Sequence, residues 1–211
     1  MFEDRRDAGR KIAGALREYK WKDAIVLALP RGGVVTAYEV AGALGLPLDI
    51  VSIRKIGYPE NPEYAVGAVD ERGAVILNED IAGSIDQVWL RGETQRQQAE
   101  AKRRSLVYRG GRKLPSIAGK IAIIVDDGVA TGLTMRLAVR VVKAQMPLMV
   151  IVAVPVAPSE SIRILKAEGA DEVIVVEPPE EFMGAVGAHY VRFEQVEDAE
   201  VIALLRSGHR I

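Results

Sequence analysis

The feature that most constrains the fold is a rhythm. Short continuous runs of β-branched apolar residues, at 24–29, 48–53, 121–125, 148–154 and 172–176, alternate with longer stretches of helical spacing at 34–44, 131–145 and 159–168. The runs do not alternate apolar with polar, so a strand made from one must be covered on both faces. Gly45 and Gly169 stand where helix C-termini favour glycine. A leading helix over 5–19 would pack Ile12, Ala15, Leu16 and Tyr19 on one stripe. This order predicts an α/β fold, with three α/β/α layers and a mainly parallel central sheet. Two regions break the rhythm. Residues 54–120 contain a hairpin pattern turning at 70–73 and a polar helix near 85–108, and 177–193 is rich in Pro and Gly.

Composition narrows the classes. With 49% hydrophobic residues, no repeat and no low-complexity linker, 1–211 is expected to be a single domain. A formal net charge of −1 gives no general attraction to nucleic acid or anionic lipid. The absence of cysteine excludes disulfides and thiolate metal sites. The first residues, MFEDRRDAGR, lack an apolar core of the signal-peptide kind, and no apolar run approaches the roughly 20 residues of a membrane span. A cytoplasmic location with no membrane partner is expected.

The chemistry concentrates in IAIIVDDGVATGLT, from Ile121 to Thr134. In a parallel sheet, ligands gather beyond the carboxyl ends of the strands, where Asp126 and Asp127 stand. Ala130, Thr131, Gly132, Leu133 and Thr134 then open a helix whose first N–H groups lack partners and suit a phosphate. Two carboxylates would repel that phosphate on contact, so they suit neutral hydroxyls or a hydrated divalent cation. A ribose 5-phosphate has both the phosphate and the diol. The same residues also fit a plain Asp-Asp-Gly turn with Thr131 as N-cap. Pro30-Arg31-Gly32-Gly33 offers a second anion loop: two glycines permit unusual backbone angles, and Arg31 presents a planar fork of donors. A strand-to-helix turn with a solvent-facing arginine is its simpler alternative.

IIVDDGVATGLT resembles the phosphoribosyl-pyrophosphate signature of type I phosphoribosyltransferases. LALPRGGVV resembles the family's pyrophosphate loop, and SIRKIGYPENPEYAVGAV its strand and flexible loop with an Arg-Lys pair. EPPEEFMGAVGAHYVRF stands where the family has a variable hood. The likeness is greatest to the sparsely characterised members of about this size. It implies transfer of ribose 5-phosphate from 5-phosphoribosyl-1-pyrophosphate to a nitrogenous base with release of pyrophosphate, using Mg2+, in a homodimer. Asp126 and Asp127 would then hold the ribose hydroxyls and magnesium, the metal through water. Arg31, Gly32, Gly33, Arg54 and Lys55 would receive the pyrophosphate, and residues 130–134 the 5-phosphate. Phe182 and Tyr190 would hold the base, while His189 would hydrogen-bond or stack on it. Members acting on 6-oxopurines resemble a pattern with Asp before the Thr; here Ala130 stands there, as in adenine- and orotate-type members.

Two alternatives remain. One is a regulator of the same fold that binds the sugar phosphate without turnover; the other is a hydrolase using the same pocket. Residues 63–67 could form a lid or a dimer contact. The basic excess between Arg91 and Lys113 reads as a solvated helix face, packed through Ile85, Val88, Trp89 and Leu106, so nucleic acid is not expected. His209 is expected at the surface.

Overall fold

The computed structural model describes residues 1–113 and 115–208, with Pro62 and Glu63 described by their backbone; His209 lies outside them. Five strands form the central sheet: β1 (Ala24–Ala28), β2 (Leu48–Ile50), β6 (Ile121–Val125), β7 (Met149–Val154) and β8 (Glu172–Val175). All pair in parallel, in the order β2-β1-β6-β7-β8. Numbered by their appearance in this sheet, the strands run 2-1-3-4-5, so the winding reverses between β1 and β6. At such a switch point the two connecting loops diverge and leave a crevice. Ala24 pairs with Ile121 and Ala28 with Val125, so both strands end at the same level.

Successive residues of a strand point to opposite faces, and here both faces are apolar. Val26, Ala28, Ile123 and Val125 pack under α1 (Arg5–Ala15), α2 (Gly32–Leu44) and α7 (Asp198–Gly208). Ile25, Leu27, Ala122 and Ile124 pack under α5 (Leu133–Lys143) and α6 (Ser159–Ala167). This explains the unbroken apolar runs. A second, antiparallel sheet of β3 (Ile53–Tyr58), β4 (Asn61–Asp70) and β5 (Val75–Leu77) contributes Ile53, Ala68 and Ile76 to that second core. It is followed by α3 (Glu79–Ala82) and α4 (Gln87–Arg109).

Several expectations need correction. The run 48–53 is not one strand. The chain leaves the central sheet after Ile50, and buried Ser52 donates from Oγ to the Ala101 carbonyl of α4 at 2.7 Å. The leading helix stops at Ala15, which is exposed; its inward face is Ala8, Gly9, Ile12 and Ala13. The hairpin turns at the expected place: Asp70 Oδ1 accepts from Arg72 N and Ala74 N, and Gly73 has φ +92°.

The packing face assigned to α4 was also wrong in part. Ile85, just before it, is buried, but Val88 and Leu106 are strongly exposed. The inward residues are Leu90, Gln97, Ala101, Ser105, Tyr108 and Arg109. Four of these have polar side chains, each with a specific partner. Arg109 Nε reaches Asp49 at 2.8 Å and its other nitrogens reach Ser105 Oγ and the Ile50 carbonyl. Tyr108 donates to Asp198 at 2.7 Å. A buried polar group is tolerated when its hydrogen bonds are made, so this helix is bracketed by hydrogen bonds rather than by an apolar stripe.

Candidate active site

The crevice between β1 and β6 is built from the backbone outward. Leu29 N–H donates to the Val125 carbonyl at 3.1 Å, carrying the pairing one residue past β1. The Pro30–Arg31 peptide is cis. Gly32 and Gly33 are the first residues of α2 and neither has positive φ, so backbone freedom is not their role. Room is. A β-carbon on Gly32 would overlap Asp127 Oδ2, and one on Gly33 would stand 2.7 Å from Asp126 Oδ1. The acidic pair therefore rests directly on the glycine pair.

The two carboxylates are held differently. Asp126 Oδ1 accepts the Asp127 backbone N–H at 2.8 Å. Burial, reinforced by the neighbouring Asp127 charge, pushes the Asp126 carboxyl well above its usual value. Asp127 Oδ2 accepts from Arg5 Nε at 2.6 Å, a partner 122 positions away on α1. Arg5 also donates from Nη1 to the Glu194 carbonyl at 2.7 Å and lies 3.8 Å from the centre of the Phe193 ring. Tyr190 donates its hydroxyl to the Asp127 carbonyl at 2.6 Å, and burial first, then the Asp127 charge, raises that phenol's pKa.

Past the acids, Gly128 at φ +153° lets Val186 and Val156 close over it. Val129 N–H binds the Val156 carbonyl, and Ser161 Oγ donates to the Ala130 carbonyl at 2.9 Å. The N-cap of α5 is Gly132 in the left-handed region, with no side chain bonding the first turn. Thr131 is therefore not the cap; it is exposed beside the helix start. The first intrahelical bond comes from Arg136 N–H to Gly132 O, leaving the Leu133, Thr134 and Met135 N–H groups for other acceptors. Ala130 and Thr131 line a cleft of about 1180 Å³ that continues between Tyr64 and Ala65 of β4 and Ser161 of α6.

Arg31 is gathered by α7, its guanidinium 3.5 Å from Asp198 Oδ1. Asp198 also binds Tyr108 and, at 3.3 Å, Arg103. Arg54 donates to Gln97 at 3.0 Å. Burial, and then the like charges of Arg104 and Arg31, lower its pKa. Arg54 shares its face of β3 with Ile56, towards α4, whereas Lys55 follows the opposite face with Ile53. The pair adjacent in sequence is thus divided between two faces.

The hood residues mostly hold one another. Phe182 stacks on His189 with centroids 5.4 Å apart, and Tyr190 lies between Phe2 and Phe193 at 5.5 and 4.8 Å. Buried His189 engages Glu177 through Nδ1 and accepts the Met183 N–H at Nε2, so it acts as a strut of the hood. Arg5, Phe193 and Asp198 were missed by sequence reasoning. Arg5 sits in a run of charges with no spacing relation to Asp127, and only long-range contact reveals it.

Comparison with known proteins fits this geometry. The phosphoribosyl transferase domain model matches residues 3–167. A Mycobacterium tuberculosis protein, provisionally named phosphoribosyl transferase Rv0571c in strain H37Rv and MT0597 in strain CDC 1551, is 42% identical across 100% of this chain. The chain spans 47% of that relative's length. The crystal structure of TT1426 from Thermus thermophilus is 45% identical, with a TM-score of 0.79 over 98% of both chains. No helix among the described residues is long and apolar enough to cross a membrane. With its matched region covering most of the sequence and the crevice, this chain belongs to the phosphoribosyl transferase domain family.

Proposed function

We propose that the chain transfers a 5-phosphoribosyl group from 5-phosphoribosyl-1-pyrophosphate to a nitrogenous base. A base nitrogen forms the new bond to C1 as the C1–oxygen bond breaks, and pyrophosphate leaves with the electron pair. One observation carries this reading: Asp126 and Asp127 rest on Gly32 and Gly33 at the switch point, next to an α5 N-terminus that no side chain caps. The 5-phosphate would take the N–H groups of 132–134 and the Thr131 hydroxyl. Asp126 would face the ribose hydroxyls and oppose the positive charge developing at C1. Arg31 and Arg54, from separate elements, would stabilise the departing pyrophosphate, with Lys55 approaching from the other face of β3. Such a site works by positioning and electrostatics and needs no protein nucleophile.

The donor set fits Mg2+ brought by the substrate. The described residues hold no group of three or more His, Cys, Asp or Glu placed to cage a metal, and one oxygen of Asp127 is engaged by Arg5. Mg2+ keeps several waters and accepts one or two carboxylates alongside substrate phosphates. When bound it would neutralise pyrophosphate charge, with Asp126 as its contact through water. The assembly we infer is a homodimer, to be tested by sedimentation against the 22.9 kDa monomer. Nucleic acid is not proposed as a partner, because much of the basic charge on α4 is paired with Glu93, Glu100 and Asp198.

The decisive experiment measures pyrophosphate release from 5-phosphoribosyl-1-pyrophosphate and magnesium across a panel of bases. Ala130 cannot exchange a proton with a purine N7, so guanine and hypoxanthine should be the slower acceptors by about 10²-fold or more. Guanine as preferred acceptor would remove the Ala130 argument. The rings of Phe182 and Tyr190, stacked on neighbours rather than presented to a base, favour the regulator as a second reading. Tight sugar-phosphate binding with no base reacting would select it.

A further inference from the structure

Arg5 has no part in the reaction as described above, yet its guanidinium is engaged on three sides at the crevice. Its guanidinium meets Asp127 at 2.6 Å, the Glu194 carbonyl at 2.7 Å and the Phe193 ring at 3.8 Å. Arg5 and Asp127 expose only 11% and 16% of their side chains, so little water intervenes to weaken the pair. A tie between α1 and the hood could be made anywhere along these elements. This one is made on the acidic pair itself, and Arg5 Nε lies 2.8 Å from where a Gly32 β-carbon would be. The cation therefore stands where the loops after β1 and β6 meet.

Resting on the functional reading for its ligand, we propose that Arg5 is a positioning residue, a resident counter-cation that commits Asp127 to the protein and leaves Asp126 as the carboxylate offered to the ligand. Two free carboxylates would repel a polyanionic sugar phosphate until a divalent cation bound between them. With Asp127 paired, the crevice presents one carboxylate that has no ion pair among the described residues, and the substrate's own magnesium suffices. Arginine suits the task because its flat guanidinium can stack on Phe193 while its edge donates to a carboxylate and a carbonyl.

The test uses the intact protein and two readouts. In the first, magnesium chloride is added to ligand-free protein and the melting temperature followed. Wild type should gain nothing beyond the effect of an equal ionic strength of sodium chloride, whereas Arg5→Gln should be stabilised by magnesium specifically. Arg5→Lys, which restores the charge, should return to the wild-type response. In the second, calorimetry measures 5-phosphoribosyl-1-pyrophosphate affinity with and without magnesium. Arg5→Gln should weaken binding about tenfold without magnesium, and much less at saturating magnesium. Specific magnesium stabilisation of the free wild type would overturn the proposal even if no variant folded. So would Arg5→Gln weakening the affinity equally at every magnesium level, the mark of a merely structural tie. If neither protein binds the sugar phosphate while the melting responses are as expected, the functional reading fails and the role of Arg5 stands.

Discussion

Asp126 and Asp127 are adjacent in sequence and unlike in environment. Asp127 has an arginine hydrogen-bond partner, while Asp126 accepts the Asp127 backbone N–H and feels the Arg5 charge less than that of its acidic neighbour. The raised Asp126 pKa means that its ionisation opposes folding. That cost is absent below the ordinary value of 3.8, where the carboxyl is protonated in both states, and is greatest above the raised folded value. Asp126→Asn should therefore raise the melting temperature at neutral pH, with the gain fading in acid. The same variant should lose sugar-phosphate turnover, because an amide cannot oppose charge at C1. A variant with unchanged stability at neutral pH would contradict the environment assigned to Asp126. Thr131 offers a separate test. Its hydroxyl is exposed and does not cap α5, so Thr131→Ala should leave stability within about 0.5 kcal/mol. If that hydroxyl meets the 5-phosphate, calorimetry should register a loss of roughly 1.5–3 kcal/mol in binding. The acids and glycines could be picked out from sequence because chemistry and spacing coincide there. The reason for the glycines could not, since room for a carboxylate is a property of two loops meeting.

At the level of elements, legibility followed burial. The strands of the central sheet were readable because both faces are apolar, and β1 and β6 ended within a residue of expectation. Helix α4 was located but its inward face was misassigned, because specific hydrogen bonds replace apolar periodicity there. Gln97, Ser105 and Arg109 face inward while Leu106 faces out. The start of β3 at Ile53 was hidden at the end of an apolar run, since no local signal marks Ser52 as the point where the chain changes sheets. The same helix supplies a prediction about charge. Glu100 binds Arg103 and Arg104 at 2.7 Å each, and these bonds, Arg103 foremost, bring its pKa from 4.5 down to about 2. A depressed carboxylate contributes stability above its unfolded value and loses it as pH falls through the folded one. Glu100→Gln should cost roughly 1 kcal/mol at neutral pH, allowing for the partial exposure of the group. Urea unfolding at a series of pH values should show the difference shrinking between 4.5 and about 2. A difference that persists unchanged into acid would mean the side chain acts by packing instead of charge.

Across the whole molecule, the first residues and the hood converge on one crevice, which no local pattern announces. Phe2 pairs with Tyr190 in a parallel bridge, donating to the His189 carbonyl and accepting from Val191 N–H. Three residues on, Arg5 fastens α1 to Asp127 and to the Glu194 carbonyl. The hood in turn reaches Asp127 through the Tyr190 hydroxyl and closes over Gly128 with Val186. The first residues and the hood thus form one clamp, whereas β1 and β6 beneath it are almost wholly buried and have no reason to move. Since Val186 lies against Gly128 and the hood rings stack on one another, on the proposed reaction an acceptor entering on that side would have to displace the clamp. Opening should be cooperative, because the Phe2 backbone bonds cannot survive a large movement of residues 189–191. Hydrogen exchange followed by mass spectrometry tests this. Addition of 5-phosphoribosyl-1-pyrophosphate with magnesium should change exchange in segments 1–7 and 182–193 in the same direction and over the same concentration range, while segments 24–28 and 121–125 keep their protection. A base analogue added next should reverse or deepen both changes together. Independent responses of segments 1–7 and 182–193 would show that the clamp is two separate pieces. Arg5 would then hold Asp127 without coupling it to the hood.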